Sequence, residues 1–219
     1  MCSFKKDMNK QTIGLMMVVR NEAKRIKECL EWHLPYVDQV VICDQESDDG
    51  TLEIVKECLT KWNGDWQVIT DKQWGYCEPS KQKAADLLIT DWILYVDADE
   101  KFPQSFLEDM HEIVKTDKFD GFRFPRYNYF SVQVFGENVP IKPKWITVLH
   151  PAKDPQLRLT RRSLSIFPIY LHNRVRIFRA DGKKYMQDLP FPIEHRKTVT
   201  EQWDDEKRYK VANGKGESE

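Results

Sequence analysis

Short apolar runs that alternate with amphipathic segments constrain the fold of this chain most strongly. Four runs are too short for buried helices and suit strands: Ile13–Val19, Gln39–Cys43, Gln67–Thr70 and Ile93–Val96. Four intervening or later segments space their apolar residues as a helix does: Glu22–Leu34, Thr51–Trp62, Pro79–Ile89 and Pro103–Val114. This alternation predicts an α/β fold with a mostly parallel central sheet flanked by helices.

The second half of the chain has a different pattern. Aromatic and polar residues alternate over Phe122–Phe130, which is typical of an antiparallel strand, and prolines divide much of the sequence beyond residue 139. Gln156–Thr160 and Val175–Phe178 are further strand candidates. We therefore predict a single domain over residues 1–219, with one half at about 11–118, a smaller antiparallel half at about 119–210 and a polar tail at about 211–219.

Charge and apolar content exclude two broad classes. The 34 Lys and Arg residues are balanced by 35 Asp and Glu residues and are interspersed with them, which argues against a general nucleic-acid-binding protein. No stretch approaches the ~20 apolar residues of a membrane span, so no transmembrane segment is predicted. Five cysteines without a C-x-x-C pair indicate buried thiols in a reducing compartment. The expectation is a cytoplasmic protein.

Polar residues come directly after each predicted strand of the first half. Arg20-Asn21-Glu22, Asp44, Asp71 and Asp97-Ala98-Asp99 stand at the four strand ends. Ligands of open α/β sheets bind beyond the carboxyl ends of the strands. The sequence therefore predicts a binding site at this edge of the sheet.

The D-x-D sequence at Asp97-Ala98-Asp99 indicates metal chemistry. Two carboxylates on alternate residues of a short turn can face one hard divalent cation. Such a cation stabilises a diphosphate as it leaves. Without a cation, Asp97, Asp99 and Glu100 are expected to repel one another, so that Asp99→Asn would leave folding intact or improve it. The alternative is an acidic entry to the helix at Pro103.

Two loops admit structural explanations as well as functional ones. Ser47, Asp48 or Asp49 can cap the helix that begins at Thr51, whereas Asp44 comes too early to cap it. Asp44 is instead expected to accept hydrogen bonds from a ribose or a base. Asn21 can be a cap and Glu22 suits a first helical turn. No G-x-G-x-x-G or G-x-x-x-x-G-K-[ST] sequence is present, which excludes an ordinary dinucleotide fold and a P-loop enzyme.

Together these motifs resemble the family 2 glycosyltransferases of the GT-A fold. The resemblance covers the first half and rests on four segments: Val18–Glu22, Asp44–Thr51, Lys81-Gln82 and Trp92–Glu100. It implies an inverting hexosyltransferase that uses Mn²⁺ or Mg²⁺. The implied donor is a nucleotide-sugar, which in this family is often a UDP-sugar, and the implied acceptor is a hydroxyl of a glycan or another molecule. The implied roles are nucleoside contacts for Arg20, Asn21, Glu22 and Asp44, a base or diphosphate contact for Lys81, a ribose contact for Asp97 beside Ala98, and metal binding for Asp99.

The second half resembles the sub-group related to lipopolysaccharide-core glucosyltransferases. Arg158–Arg162 is similar to its arginine-rich strand, and Leu171-His172-Asn173 to its His-Glu, with Asn in place of Glu. The resemblance implies a metal or diphosphate contact for His195, for which a core or surface histidine is an equal alternative. The general base stays unassigned, with four acidic candidates: Asp188, Glu194, Glu137 and Asp154.

Three other functions fit parts of the pattern. A haloacid-dehalogenase-type phosphohydrolase also places D-x-D after a strand, but normally after the first. A nucleotide-sugar pyrophosphorylase needs a Gly-rich basic loop that Val18–Glu22 lacks. A catalytically inactive nucleotide-sugar-binding module is made plausible by Asn173. Slow hydrolysis of a donor separates an active transferase from such a module.

Overall fold

The computed structural model describes residues 10–131, 145–147, 155–169, 175–198, 201, 204 and 207. Its helices are α1 (Ile26–His33), α2 (Thr51–Lys61), α3 (Glu78–Leu87) and α4 (Gln104–Ile113). Its strands are β1 (Ile13–Val19), β2 (Gln39–Asp44), β3 (Asp65–Thr70), β4 (Trp92–Tyr95), β5 (Glu100–Lys101), β6 (Gly121–Phe124), β7 (Arg126–Ser131), β8 (Trp145–Thr147), β9 (Gln156–Arg161), β10 (Ser165–Ile166), β11 (Arg176–Ile177), β12 (Met186–Asp188) and β13 (Ile193–Thr198).

The central sheet has seven strands in the order β12-β6-β9-β4-β1-β2-β3. Strands β1 to β4 run parallel to their neighbours among themselves, and β9 is antiparallel to both β4 and β6. A buried strand flanked on both sides must be apolar throughout, and all seven residues of β1 are buried. The predicted α/β class with a mostly parallel sheet is confirmed.

Helices cover both faces of this sheet. Leu15, Met17 and Leu94 pack with the buried sides of α1, α2 and α4 on one face. Met16 and Tyr95 pack with α3 and Phe167 on the other. The alternation of side chains along β1 and β4 therefore divides the core into two layers.

The second half adds β6, β9 and β12 to the central sheet and supplies most strands of two smaller sheets, and one predicted strand is wrong. Phe122–Phe130 is not continuous, because Pro125 separates β6, in the central sheet, from β7, in a four-stranded sheet of order β5-β13-β7-β8. Proline lacks the N–H that a central strand must donate. In this smaller sheet β13 is parallel to β7 and antiparallel to β5. Strands β10 and β11 pair as a separate antiparallel ribbon.

The helices match their predicted segments within a few residues. The largest difference is at the start of α1, where Glu22 begins a turn by accepting hydrogen bonds from the backbone N–H groups of Arg25 and Ile26, and the helix starts only at Ile26. Among the described residues, no helix is both long and apolar enough to cross a membrane.

Candidate active site

The carboxyl ends of β1 to β4 lie side by side and bring together the polar segments that come after them. Val19 at the end of β1 is in register with Asp44, which is in register with Thr70 at the end of β3. Strand β4 pairs with the other side of β1 and leads into Asp97. The predicted clustering at one edge of the sheet is confirmed.

An open cleft of about 400 Å³ lies at this edge. Its lining residues are Arg20, Asn21, Glu22, Arg25, Gln73, Gly75, Asp99, Lys197, Glu201 and Asp204. Four of the predicted site residues therefore line the cleft, namely Arg20, Asn21, Glu22 and Asp99. The other predicted nucleotide and metal residues do not: Asp44, Lys81, Asp97, Ala98 and His195.

Asp99 meets two side chains from β13. Its Oδ2 atom lies 3.2 Å from Nε2 of His195 and 3.4 Å from Nζ of Lys197. Both residues reach it because side chains two positions apart share one face of a strand. Burial by itself favours the neutral acid, but the hydrogen bond and charge of His195, with the charges of Lys197 and Arg25, hold the pKa of Asp99 below its usual range.

His195 is held in place from behind. Its Nδ1 atom lies 2.8 Å from Oδ1 of Asn128, on β7, whose strand pairs with β13 in register at these two residues. The amide oxygen accepts the Nδ1 proton and leaves Nε2 facing Asp99. Such a partner is the usual support of a metal-binding histidine.

Asp97 and Glu100 belong to a buried ion-pair network. Nη2 of Arg158 lies 2.6 Å from Oδ2 of Asp97 and 2.5 Å from Oε1 of Glu100, and the hydroxyl of Tyr95 donates to Oδ1 of Asp97. Burial opposes ionisation of Asp97, but Arg158 and Lys81 lower its pKa. Burial raises the pKa of Glu100, and the positive charge of Arg158 opposes this increase.

These contacts correct the expected repulsion among the three carboxylates. Arg158 neutralises Asp97 and Glu100, and His195 with Lys197 faces Asp99. Removing the charge of Asp99 therefore deletes attractive contacts within the protein. In place of intact or improved folding, we therefore expect Asp99→Asn to destabilise the protein.

Arg158 is one of several residues around the cleft that sequence reasoning did not assign to the site. The pairing of β6 with β9 passes from Phe122–Leu159 to Arg123–Leu157, so Arg158 is the extra residue of a β-bulge. The bulge turns a charged side chain towards the acidic turn. A charged residue between Leu157 and Leu159 was the available signal, because an arginine inside an apolar strand needs a buried partner.

Lys81, on α3, packs beside Tyr95 and does not line the cleft. Its Nζ atom is 4.7 Å from the centre of the Tyr95 ring and 3.6 Å from Oε1 of Glu78. Burial lowers the pKa of this amine, but the acidic surroundings, including Asp97 and Glu78, raise it overall. Ala98 is buried and contributes no polar side-chain atom. Neither residue is exposed to a ligand in the cleft as it stands.

Asp44 has a structural contact that the sequence did not predict. Its Oδ2 atom accepts a hydrogen bond of 3.0 Å from the backbone N–H of Ser47, so the carboxylate orders its own loop without capping α2. Its Oδ1 atom is buried and has no hydrogen-bond partner among the described residues. One oxygen thus orders the loop, and the other remains available as an acceptor.

The loop between β2 and α2 is also tied to the one after β1. The Oδ1 atom of Asn21 accepts from the backbone N–H of Asp48, and the hydroxyl of Ser47 accepts from that of Asn21. Asn21 therefore joins two loops and does not cap α1, and its φ of 54° is left-handed. Asp49 accepts from the backbone N–H of Thr51, but the N-cap of α2 is Gly50, at a φ of 94° and without a side-chain capping bond, so the predicted cap at Ser47, Asp48 or Asp49 is wrong.

Glu22 lines the cleft and has a raised pKa, in contrast to Asp99. Burial raises its pKa to about 7, although Arg25 opposes the shift with Nε 2.9 Å from Oε2. Arg25 also pairs with Glu201 and donates to the backbone oxygen of Arg196. Arg25 and Glu201 thus connect the first loop to the end of β13, although neither was predicted from sequence.

Two of the acidic residues suggested as the general base, Asp188 and Glu194, are described and do not line the cleft. Asp188 lies on the edge strand β12 and is paired with Arg123, with Nε 2.7 Å from Oδ1. Glu194 alternates with His195 on β13, so it faces away from Asp99, and it pairs with Arg196. Glu137, Asp154, His172 and Asn173 fall outside the described residues.

Asp99 and His195 form the arrangement that best suits a divalent cation. Within the described part of the chain, no three His, Cys, Asp or Glu side chains are grouped closely enough to hold a metal ion. Adjacent ligands of an octahedral cation lie about 3 Å apart, as Oδ2 of Asp99 and Nε2 of His195 do. Asp99 and His195 would hold such a cation, and phosphate oxygens and water would supply its other ligands.

Solved structures with a similar fold include nucleotide-binding transferases. S. aureus TarS residues 1–349 in complex with UDP matches 92% of this chain and 65% of its own at a TM-score of 0.59 and 17% identity. GalNAc-T7 with UDP, GalNAc and Mn²⁺ matches 87% of this chain and 45% of its own, at a TM-score of 0.57 and 14% identity. A 4-diphosphocytidyl-2C-methyl-D-erythritol synthase from Anaerococcus prevotii reaches a TM-score of 0.52 at 9% identity. At these identities the likeness shows the fold alone.

Sequence comparison distinguishes among the protein families that share this fold. An uncharacterized glycosyltransferase of Rickettsia felis is 31% identical over 103 residues, which are 47% of this chain and 34% of the relative. Glycosyltransferase SunS of Bacillus subtilis is 27% identical over 99 residues, 42% of this chain and 21% of the relative. The matches therefore span about a third or less of these relatives. The profile of glycosyl transferase family 2 matches residues 15–181, which is most of the chain, and the protein belongs to that family.

Proposed function

We propose that this protein transfers a hexose from a UDP-sugar to a hydroxyl of a glycan or another acceptor, with inversion and with Mn²⁺ or Mg²⁺ as cofactor. The observation that carries the proposal is Asp99, held beside His195 and Lys197 at a cleft whose other wall is Arg20–Glu22. UDP and UDP-GlcNAc bind to TarS, whose fold is similar.

The nucleoside is assigned to the loops after β1 and β2. Arg20 donates to the backbone oxygen of Gln45, and Asn21 holds Asp48, so the two loops form one wall. Glu22 lies on the same wall, and Oδ1 of Asp44 is a buried acceptor beneath it. A uracil N–H or a ribose hydroxyl is the donor that such an acceptor fits.

The diphosphate is assigned to the opposite side of the cleft. Asp99 and His195 would hold the cation, which supplies neutralisation of the charge that develops on the departing diphosphate. Lys197 and Arg25 line the same cleft and supply fixed positive charge that requires no reorganisation during the reaction. Asp97 is held by Arg158 and by Tyr95, whose ring Lys81 contacts, and these contacts fix the turn that carries Asp99.

Inversion requires a base on the acceptor side of the sugar, within hydrogen-bond reach of the attacking hydroxyl. Asp188 and Glu194 remain weak candidates because both are paired away from the cleft. Asp204 and Glu201 line the cleft, and Glu201 is engaged by Arg25. We therefore add Asp204 as the candidate to test first. Asp204→Asn should reduce transfer strongly while leaving UDP binding unchanged.

Two alternatives make different predictions. A catalytically inactive module binds the nucleotide-sugar but never releases free UDP. A D-x-D phosphohydrolase needs one free aspartate as its nucleophile, whereas Asp97 has both oxygens engaged by Arg158 and Tyr95. That engagement favours the transferase over the phosphohydrolase.

Calorimetric titration with UDP-sugars, with Mn²⁺ and with excess chelator, tests the proposal. We expect tighter binding with Mn²⁺, and slow release of UDP from the preferred donor. Identical affinity in chelator would refute the metal dependence, and binding without any release of UDP would favour the inactive module. Asp109→Asn, an exposed substitution on α4, is the matched control for variants of the site aspartates.

A further inference from the structure

Positive charge is concentrated in one segment of a chain that is otherwise balanced. The formal net charge of the whole chain is −1. Residues 156–186, by contrast, contain eight basic residues and one acidic residue: Arg158, Arg161, Arg162, Arg174, Arg176, Arg179, Lys183 and Lys184 against Asp181. Such segregation indicates an anionic partner.

Some of these cations are neutralised inside the protein. Arg158 is paired with Asp97 and Glu100, and Arg161 and Arg179 both approach the buried carboxylate of Asp120. These three arginines serve the fold. The partner must therefore be recognised by the others.

Three exposed cations have no such compensation. Arg176, Lys183 and Lys184 are exposed and pair with no carboxylate among the described residues. Arg176 and Lys184 also line a pocket of about 310 Å³, together with apolar residues that include Leu157 and Ile177. None of the described side chains that line this pocket is acidic.

Exposed apolar side chains lie on the same ribbon. Ile166 on β10 is directly paired with Arg176 on β11, and Phe178 comes two residues later, so all three share the outer face. Ile166 and Phe178 are 48% and 52% exposed, and nearby Ile169 is 54% exposed. The intervening Ile177, on the inner face, is only 4% exposed. We call Ile166, Arg176 and Phe178 the ribbon face.

The ribbon face is fixed relative to the cleft. Phe167, next to Ile166, is buried, and its ring centre lies 6.4 Å from that of Tyr95. Its backbone N–H donates to Oε1 of Gln82 on α3. Tyr95 in turn donates to Asp97 of the acidic turn. A partner surface that binds the ribbon of β10 and β11 therefore also sets the orientation of the cleft.

We propose that the ribbon face, with Lys183 and Lys184, docks on an anionic lipid surface. Apolar side chains flanked by unpaired cations match the boundary between acyl chains and negatively charged headgroups. A soluble polyanion would engage the cations but gain nothing from Ile166 and Phe178. The proposal does not depend on the transfer reaction, because docking is measured without any donor or acceptor.

The test is sedimentation of the full chain with vesicles of phosphatidylcholine alone and with one quarter phosphatidylglycerol. We expect binding to the anionic vesicles only, weakened by salt. Arg176→Glu with Lys184→Glu should reduce partitioning at least tenfold. Lys27→Glu with Lys56→Glu, exposed on α1 and α2, makes the same charge change elsewhere and should retain binding.

A second pair of variants isolates the apolar contribution. Ile166→Ser with Phe178→Ser should weaken binding about tenfold, whereas Ile89→Ser, which removes an even more exposed apolar side chain after α3, should not. Thermal melts verify that each variant is folded. Absence of binding to anionic vesicles overturns the proposal. Binding that survives Ile166→Ser with Phe178→Ser and is equally strong to soluble polyglutamate overturns it in favour of a polyanion site.

Discussion

Nε2 of His195 lies 3.2 Å from Oδ2 of Asp99, and Nδ1 of the same ring is held by Asn128. Because Nδ1 donates its proton to the amide oxygen, Nε2 meets the carboxylate either as an N–H group or as a metal ligand. A proton and a divalent cation are therefore alternatives at this contact. Lys197 adds a fixed positive charge on the same oxygen.

Replacing Asp99 by Asn should abolish metal-dependent activity and also destabilise the protein. Turnover should fall by about 100-fold or more, since a metal contributes several kcal/mol of transition-state stabilisation at ~1.4 kcal/mol per tenfold. Loss of the contacts to His195 and Lys197 should lower the free energy of unfolding by about 2 kcal/mol at pH 7. Because the folded pKa of Asp99 lies below 3.8, this difference should shrink only as the pH falls below about 4.

Donor hydrolysis and thermal melts with and without Mn²⁺ check this prediction. Asp109→Asn should match the wild type in both within about 0.5 kcal/mol. An Asp99→Asn variant that turns over normally, or that Mn²⁺ stabilises as strongly as the wild type, would reduce the D-x-D turn to an acidic helix entry.

Asn128→Ala should weaken metal binding without touching the metal. Loss of the partner that orients a histidine ligand typically costs 10- to 100-fold in affinity, and we expect a decrease of about tenfold in the apparent Mn²⁺ affinity. His195→Ala should cost at least as much. If Asn128→Ala and His195→Ala bind Mn²⁺ as the wild type does, His195 is a core histidine.

Arg158 should stabilise the folded protein because its carboxylate partners are buried. Arg158→Met leaves Asp97 and the fully buried Glu100 without their cation, so we expect a loss of about 3 kcal/mol in the free energy of unfolding. Adding Glu100→Gln should restore part of that loss, because the uncompensated charge is removed. Denaturant unfolding of the two single variants and the double variant measures this coupling; additive losses would contradict the network.

Glu22 should make stability fall as the pH rises towards neutrality. Its pKa is raised by burial from 4.5 to about 7, so between these values the folded protein retains a proton that the unfolded chain has lost. Relative to Glu22→Gln, the wild type should lose on the order of 2 kcal/mol between pH 4.5 and 8. Urea unfolding across this range, with exposed Glu53→Gln as control, measures the difference. A constant difference would show that Glu22 titrates normally.

Comparison of two Asp44 substitutions should distinguish the role of this residue in ordering the loop from its role in nucleotide binding. Asp44→Ala removes the acceptor for the backbone N–H of Ser47 as well as the unpaired Oδ1, so both thermal stability and UDP affinity should decrease. Asp44→Asn keeps one acceptor and should lower UDP affinity more than stability. Calorimetry and melts on both variants test this, and an unchanged affinity in both would remove Asp44 from the site.

The sequence determined the frame of the molecule because local patterns carry that information. β1 occupies the predicted Ile13–Val19, and β2 extends the predicted run by one residue to Asp44. The carboxyl ends of neighbouring parallel strands lie at a common edge of the sheet. The clustering of Asn21, Asp44 and Asp97 could therefore be predicted from the order of the strands, without knowledge of side-chain contacts.

Only the tertiary structure decided what each polar residue does. Asp97 and Asp99 are separated by one residue, yet Arg158 takes the first and His195 the second, because a bulge in β9 and the register of β13 with β7 bring those partners to opposite sides of Ala98. Arg158 and His195 come from strands far along the chain, and their register is fixed by the packing of whole sheets. The alternation of apolar residues records which side of a strand is buried, whereas the partner of a buried charge depends on long-range geometry that no local pattern encodes.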